Sequence, residues 1–237
     1  MRILSLGDIH GSTEWKDIIN LNLGQDLTIF IGDYVDHWTY SNNQIHNNLV
    51  EIIQFKKDNP EKVILLWGNH DLQYLYNYKT HGCSGFRPEA FYDLHDLFNK
   101  NKELFQAAYQ YKKYLWTHAG ISTAWKAIFE NSVYIPKNRS KITANNLNKE
   151  FFIGGIYSCL YDVGKKRGGW NAVGSIFWAD RSETYTHYIE GIHQIVGHTK
   201  IDKIEKFGDE KGSIRYIDVF ENKDLNIKDK YYLLNTK

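Results

Sequence analysis

Five times along this chain, a short apolar run stops at a glycine or a polar residue and gives way to a loop. The runs are RILSLGDIHG (2–11), LTIFIGDYVD (27–36), KVILLWGNHD (62–71), KYLWTHAG (113–120) and IHQIVGHT (192–199). Apolar runs of this length, rich in β-branched residues and bounded by turn residues, predict buried strands. Between them lie segments with helical periodicity. In 41–60, Ile45, Leu49, Ile52 and Ile53 recur on one face, Ser41 or Asn42 can cap the start, and Asn59-Pro60 ends it. TEWKDIINL (13–21) and the long stretch 88–108 are predicted helical in the same way, and 212–235 is predicted to add strands joined by polar turns. Strands alternating with helices predict an α/β domain, in which ligands gather in the loops beyond the strand C-termini. All five polar clusters sit at those ends.

Composition limits what such a domain can be. The 237 residues suffice for one large core, and no repeat, low-complexity tract or Pro/Gly/Ser linker divides them, so 1–237 is expected to be a single domain. A net charge of +1 gives no global attraction to nucleic acid or to an anionic membrane. No apolar run is long enough to span a bilayer, and MRILSLGDIHG meets a charged residue too early for a signal peptide. With only Cys83 and Cys159, a disulfide framework is not expected, and a cytoplasmic location is.

Each polar cluster has an ordinary explanation. Asp8 and His10 could be turn residues, Asn69, His70 and Asp71 could cap a helix, and His118 and His198 could be hydrogen-bonded core histidines. The joint pattern is not ordinary, because five separate strand ends each deliver Asp, Asn or His beside a small residue that lets the chain turn. Two Asp, one Asn and three His suit a pair of divalent ions, with manganese first and iron or zinc as alternatives. Such a pair lowers the pKa of bound water and clamps phosphoryl oxygens, while a histidine outside the ligand set protonates the leaving alkoxide.

In order, GDIHG, GDYVD, GNHD, THAG and VGHT resemble the calcineurin-like metallophosphoesterase superfamily. The form GDYVD resembles in particular its phosphoprotein phosphatase branch, the Ser/Thr phosphatases and diadenosine tetraphosphatases. The resemblance implies a four-layer α/β/β/α sandwich with a dinuclear metal site at the strand ends. It implies that Asp8 and His10 bind the first metal, that Asp33 bridges, and that Asn69, His118 and His198 hold the second. His70 would be the general acid, oriented and kept protonated by Asp36, in agreement with the preference of an imidazole beside a carboxylate for its charged form.

The resemblance breaks after GDYVD, where that branch has Arg-Gly and this chain has His37-Trp38. A bidentate phosphate fork is replaced by an imidazole, which either contacts phosphate or packs under Trp38. Arg181 in FWADRSE resembles the family's second phosphate-binding arginine, with a surface salt bridge as the alternative, and Arg87 is a further candidate for the phosphate. The region 151–180, with the basic knot Lys165-Lys166-Arg167, is expected to be either a substrate-facing cap or a solvated loop. The leading functional expectation is a metal-dependent phosphomonoesterase acting on phosphoserine, phosphothreonine or small phosphoesters. Hydrolysis of dinucleoside polyphosphates or of a nucleic-acid phosphoester is the second expectation. An inactive scaffold is the third, disfavoured because every metal position is filled.

Overall fold

The computed structural model describes residues 1–75, 82–155 and 158–236. The chain divides into two compact units, one formed by 1–106, 200–204 and 217–237, the other by 107–199 and 205–216. The first opens with β1 (Arg2–Leu6), α1 (Glu14–Leu21), β2 (Leu27–Phe30), α2 (Asn42–Asp58) and β3 (Val63–Leu66). It continues with α3 (Asn69–Leu75), α4 (Phe91–Asn101) and β4 (Phe105–Gln106). β1 to β4 run parallel in chain order. The loops after β1, β2 and β3 therefore leave from one edge, as three of the five motifs predicted. Their apolar residues, among them Ile3, Leu6, Ile29, Phe30 and Leu65, are fully buried.

Helix α2 obeys its sequence pattern closely. Ile45, Leu49, Ile52 and Ile53 are buried, and the Ser41 hydroxyl accepts the Gln44 N–H at 3.2 Å. The stretch 88–108 corrects the helical expectation, because only 91–101 is α-helix and Phe105–Gln106 is a strand. Phe105 stacks on Trp67 with ring centroids 4.5 Å apart, and both rings are buried. That aromatic packing, together with pairing of 105–106 to Leu65 and Leu66, outweighs the helical pattern of 88–108.

The second unit holds β5 (Ala108–Tyr111), β6 (Tyr114–Thr117), α5 (Thr123–Asn131), α6 (Ala144–Ile153), α7 (Arg181–Thr184), β7 (His193–Val196), β8 (Glu205–Gly208) and β9 (Ser213–Tyr216). Its sheet has the order β5-β6-β7-β9-β8, with β6, β7 and β9 parallel. The THAG and VGHT loops thus also leave from a common edge. The last strand, β10 (Tyr231–Asn235), returns to pair antiparallel with β1 and completes the first sheet. The expected mixed α/β architecture with two sheets is therefore present. Among the described residues, no helix is long and apolar enough to cross a membrane.

The region 151–180 begins inside α6, and residues 156–157 of it lie outside the described residues. Phe151, Leu160, Ile176 and Phe177 are buried in the second unit. Lys165 and Lys166 are exposed, whereas Arg167 pairs with Asp180 at 2.9 Å and donates to the Thr199 hydroxyl at 2.6 Å.

Candidate metal centre and proton donor

The loops of the first unit are joined through Asp33. Its carbonyl oxygen accepts the Ile9 and His10 N–H groups at 3.0 and 2.8 Å, and its Oδ1 accepts the His70 N–H at 2.9 Å. The three strand ends are thereby drawn together at one residue. Close approach of two of them depends on glycine, since a Cβ at Gly68 would run into the Asp33 carboxylate and one at Gly32 into the Gly68 backbone.

The backbone of the site is strained. Among the described residues, the non-glycine residues with positive φ are His10, Asp33, Asp36, Lys112 and His198. Four of these five were singled out from sequence as site residues. Such conformations cost on the order of 1–3 kcal/mol each and persist only where the surroundings dictate them.

His10 donates through Nδ1 to the Val35 and Asp36 carbonyls, at 2.8 and 2.7 Å. That bonding places the lone pair on Nε2, which lies 3.9 Å from Asp33 Oδ2. A metal-binding histidine is typically held this way by backbone carbonyls. Ligand atoms of His10, Asp33 and His70 all lie within 4.8 Å of one another. Asp8, Asp33, Asp36 and Asp71 are all buried in these loops, an accumulation of negative charge that a cation would relieve. Donors of this kind fit the divalent metal that the motifs imply. Asn69 donates through its amide to Cys83 Sγ at 3.1 Å, which turns Oδ1 away from that thiol.

His70 Nδ1 lies 2.8 Å from Asp36 Oδ2. Burial lowers the imidazole pKa, but the charge of Asp33 and the hydrogen bond and charge of Asp36 outweigh it and raise the pKa to about 9. The hydrogen bond to Asp36 fixes the orientation of the His70 ring and leaves Nε2 as its other nitrogen.

Asp71, read from sequence only as a possible cap, has a larger part. Its carboxylate accepts the N–H groups of Asp33, Tyr34 and Gly68 at 2.8–2.9 Å, binding the loop after β2 to the one after β3. Burial and the neighbouring Asp33 charge push its pKa up. The requirement for an acid two residues after Asn69 became visible only once the loops were seen to meet.

The three phosphate candidates each have partners within the protein. His37 stacks on Tyr40 rather than under Trp38, with centroids 3.9 Å apart. Its Nδ1 accepts the Thr39 and Tyr40 N–H groups, and Nε2 faces Glu221 at 3.5 Å. Burial lowers its pKa despite Glu221, as expected for a neutral ring accepting backbone N–H groups. The Arg87 guanidinium donates to the carbonyls of His37 and Tyr40 and to Asn42, fastening the loop 37–42. Arg181 forms the salt-bridge alternative with Glu205 and lies over the rings of Phe207 and Tyr216.

In the second unit, His118 is fully buried, and its Nε2 lies 3.2 Å from His198 Nδ1. The Gly197 N–H donates to the His118 carbonyl at 2.8 Å, so the two histidines leave their parallel strands side by side. Gln194 fixes the loop after β6 by holding both the N–H and the carbonyl of Ile121.

Residues 1–202 match the calcineurin-like phosphoesterase family. The chain belongs to that family. A comparison with curated proteins finds no match. Among solved structures, the phosphoesterase is similar to a protein serine/threonine phosphatase from Saccharomyces cerevisiae with similarity to human phosphatase PP5. That likeness has a TM-score of 0.54 at 16% identity, covering 92% of this chain and 67% of the other, and it supports the fold. A cold-active protein-tyrosine phosphatase of Shewanella sp. matches at 15% identity, TM-score 0.48, over 90% of this chain and 70% of its own. A metallophosphoesterase from Sphaerobacter thermophilus matches at 13%, TM-score 0.42, over 100% and 90%. This phosphoesterase is accordingly a hydrolase of a metal-dependent family that acts on phosphorylated substrates.

Proposed function

We propose that this phosphoesterase hydrolyses phosphomonoesters of alkyl alcohols, phosphoserine and phosphothreonine foremost. The observation that carries this reading is the His70–Asp36 pair, 2.8 Å apart, beside the His10–Asp33 group. An alkoxide is a poor leaving group, so a positioned proton donor matters most for such esters.

Two divalent ions, manganese first and iron or zinc as alternatives, would supply a nucleophile at neutral pH and positive charge for the phosphoryl oxygens. Asp8 and His10 are assigned to one metal, Asp33 to both, and Asn69, His118 and His198 to the other, the last three on motif order. His10 is held by its carbonyl partners in the tautomer that leaves Nε2 for the metal. His70 passes the proton on Nε2 to the ester oxygen as the P–O bond breaks, and it regains one from solvent. Asp36 holds the ring throughout and keeps its Nδ1 proton. The chain acts as one metallophosphoesterase domain, since each unit is assembled from separated stretches. We place it in the cytoplasm, where its two free cysteines remain reduced.

The reading is tested by comparing a phosphoserine peptide, diadenosine tetraphosphate and a 3′-phosphorylated oligonucleotide with the manganese-loaded protein. The phosphopeptide is expected to be hydrolysed with the highest kcat/KM. Preference for either nucleotide substrate would transfer the assignment to that class.

A further inference from the structure

The pairing of His70 with Asp36 fixes the imidazole only if Asp36 is itself fixed. Asp36 has a positive φ of 60°, an unfavourable conformation for a residue that must hold a side chain still. Two further side chains reach it. Gln73 donates through Nε2 to Oδ2 at 2.5 Å, and the Tyr74 hydroxyl donates to Oδ1 at 2.6 Å. Both are buried. His70, Gln73 and Tyr74 stand at i, i+3 and i+4 on α3, so a single helical turn presents all three donors to one carboxylate.

The direction of each bond is fixed from behind. The Cys83 N–H donates to Gln73 Oε1 at 2.9 Å, so the amide must turn its NH₂ toward Asp36. The Arg87 N–H donates to the Tyr74 oxygen at 2.9 Å, so the hydroxyl proton is left for Asp36. Residues 83–87 therefore form a strap that sets both donors. Gly85, at φ +83°, lies close enough that a Cβ there would stand 3.7 Å from the Asp36 Cβ. The strap is anchored through the Arg87 guanidinium to the loop 37–42, immediately after Asp36.

We infer that Gln73 and Tyr74 are positioning residues for the proton donor, aligning His70 through Asp36 under the direction of the 83–87 strap. The inference rests on the reading of His70 as proton donor. A purely structural pair would satisfy a buried carboxylate and do nothing specific to leaving-group protonation. A positioning pair makes the reaction sensitive to how badly the leaving group needs a proton.

The test uses the full-length, manganese-loaded protein with Gln73→Met and Tyr74→Phe, and with His70→Asn as reference. Tyr74→Phe keeps the ring stacking on Phe86 and Phe91. Substrates are a phosphoserine peptide and p-nitrophenyl phosphate, whose phenolate leaves without protonation. For each variant, kcat on the phosphopeptide is expected to fall about tenfold at unchanged KM, a fraction of the roughly 10²–10⁴ associated with general acid catalysis. On p-nitrophenyl phosphate the loss is expected to be much smaller. In zinc-loaded protein carrying ¹⁵N-labelled histidine, free of the line broadening that paramagnetic manganese would cause, the Nδ1–H resonance of His70, assigned by its loss in His70→Asn, is expected to shift in both variants. Parallel losses on the two substrates, or an unmoved resonance, would overturn the positioning role while leaving the proton-donor reading intact. Absence of leaving-group dependence in His70→Asn itself would remove both.

Discussion

The loop edges of the two units are held by opposite kinds of chemistry. In the first unit the connections are ionic, with the carboxylates of Asp33 and Asp71 accepting backbone N–H groups from the neighbouring loops. In the second they are neutral, with Gly197 bonded to the His118 carbonyl and the Gln194 amide spanning Ile121. Backbone dipoles make good partners for a carboxylate, but they do not cancel the repulsion between carboxylates. Burial first, and the charge of Asp33 second, push the Asp71 pKa up, so the repulsion acts on top of desolvation. An edge built from acids suits a cation through its charge, whereas an edge presenting two imidazoles offers neutral nitrogen donors.

Chelation probes this contrast most strongly. Metal-stripped protein is expected to lose essentially all phosphatase activity and to unfold at a lower temperature, and manganese should restore both. Saturation at a hundredfold above Kd corresponds to about 2.7 kcal/mol of stabilisation. Full activity of the stripped protein would break the metal reading.

His70→Asn comes next, with turnover on the phosphopeptide expected to fall by roughly 10²–10⁴ at unchanged metal content. Near-native turnover would take the proton-donor role from His70.

Asp71→Ala leaves three buried N–H groups without their carboxylate and is expected to cost about 3 kcal/mol in urea unfolding, after partial compensation from relieved repulsion. Gln194→Ala on the neutral edge should cost about half as much. Equal losses would erase the distinction between the edges.

The smallest effect concerns an acid of the second unit. Asp162 accepts a side-chain hydrogen bond from Asn171, and burial raises its pKa to about 6. The unfolded chain gives up this proton near pH 3.8 and the folded chain only near 6. Stability from this group therefore falls as pH rises between those values and stays at the lower level above. Asp162→Asn should remove that slope and, allowing for partial exposure, add about 1 kcal/mol at pH 7. An unchanged slope in thermal melts from pH 4 to 7 would assign it to another group.

Strand ends were the legible part of this molecule. A strand that terminates in Gly-Asp or Gly-Asn-His advertises both its topology and its chemistry within four residues, so the mixed α/β architecture could be anticipated from the strand ends, and the two-sheet sandwich from the family resemblance. The supporting residues were hidden for a physical reason. Gln73 reads as one more helical polar residue until Cys83 is seen to bond its far side. Arg87 reads as a free cation until the loop 37–42 closes around it. The strand at Phe105 was masked because its helical pattern is local, while its partner, Trp67, is thirty-eight positions earlier in the chain.

The left-handed backbone at His10, Asp33, Asp36 and His198 bears on how such a centre can be copied. A protein engineer who transplanted only the side chains onto relaxed loops would obtain the right atoms aimed in the wrong directions. The transferable unit is the dihedral sequence of each loop together with the hydrogen bonds that enforce it. A search for sites of this kind in other scaffolds should therefore begin from loops that already hold an Asp or His at positive φ, and only then ask which metal ligands they carry.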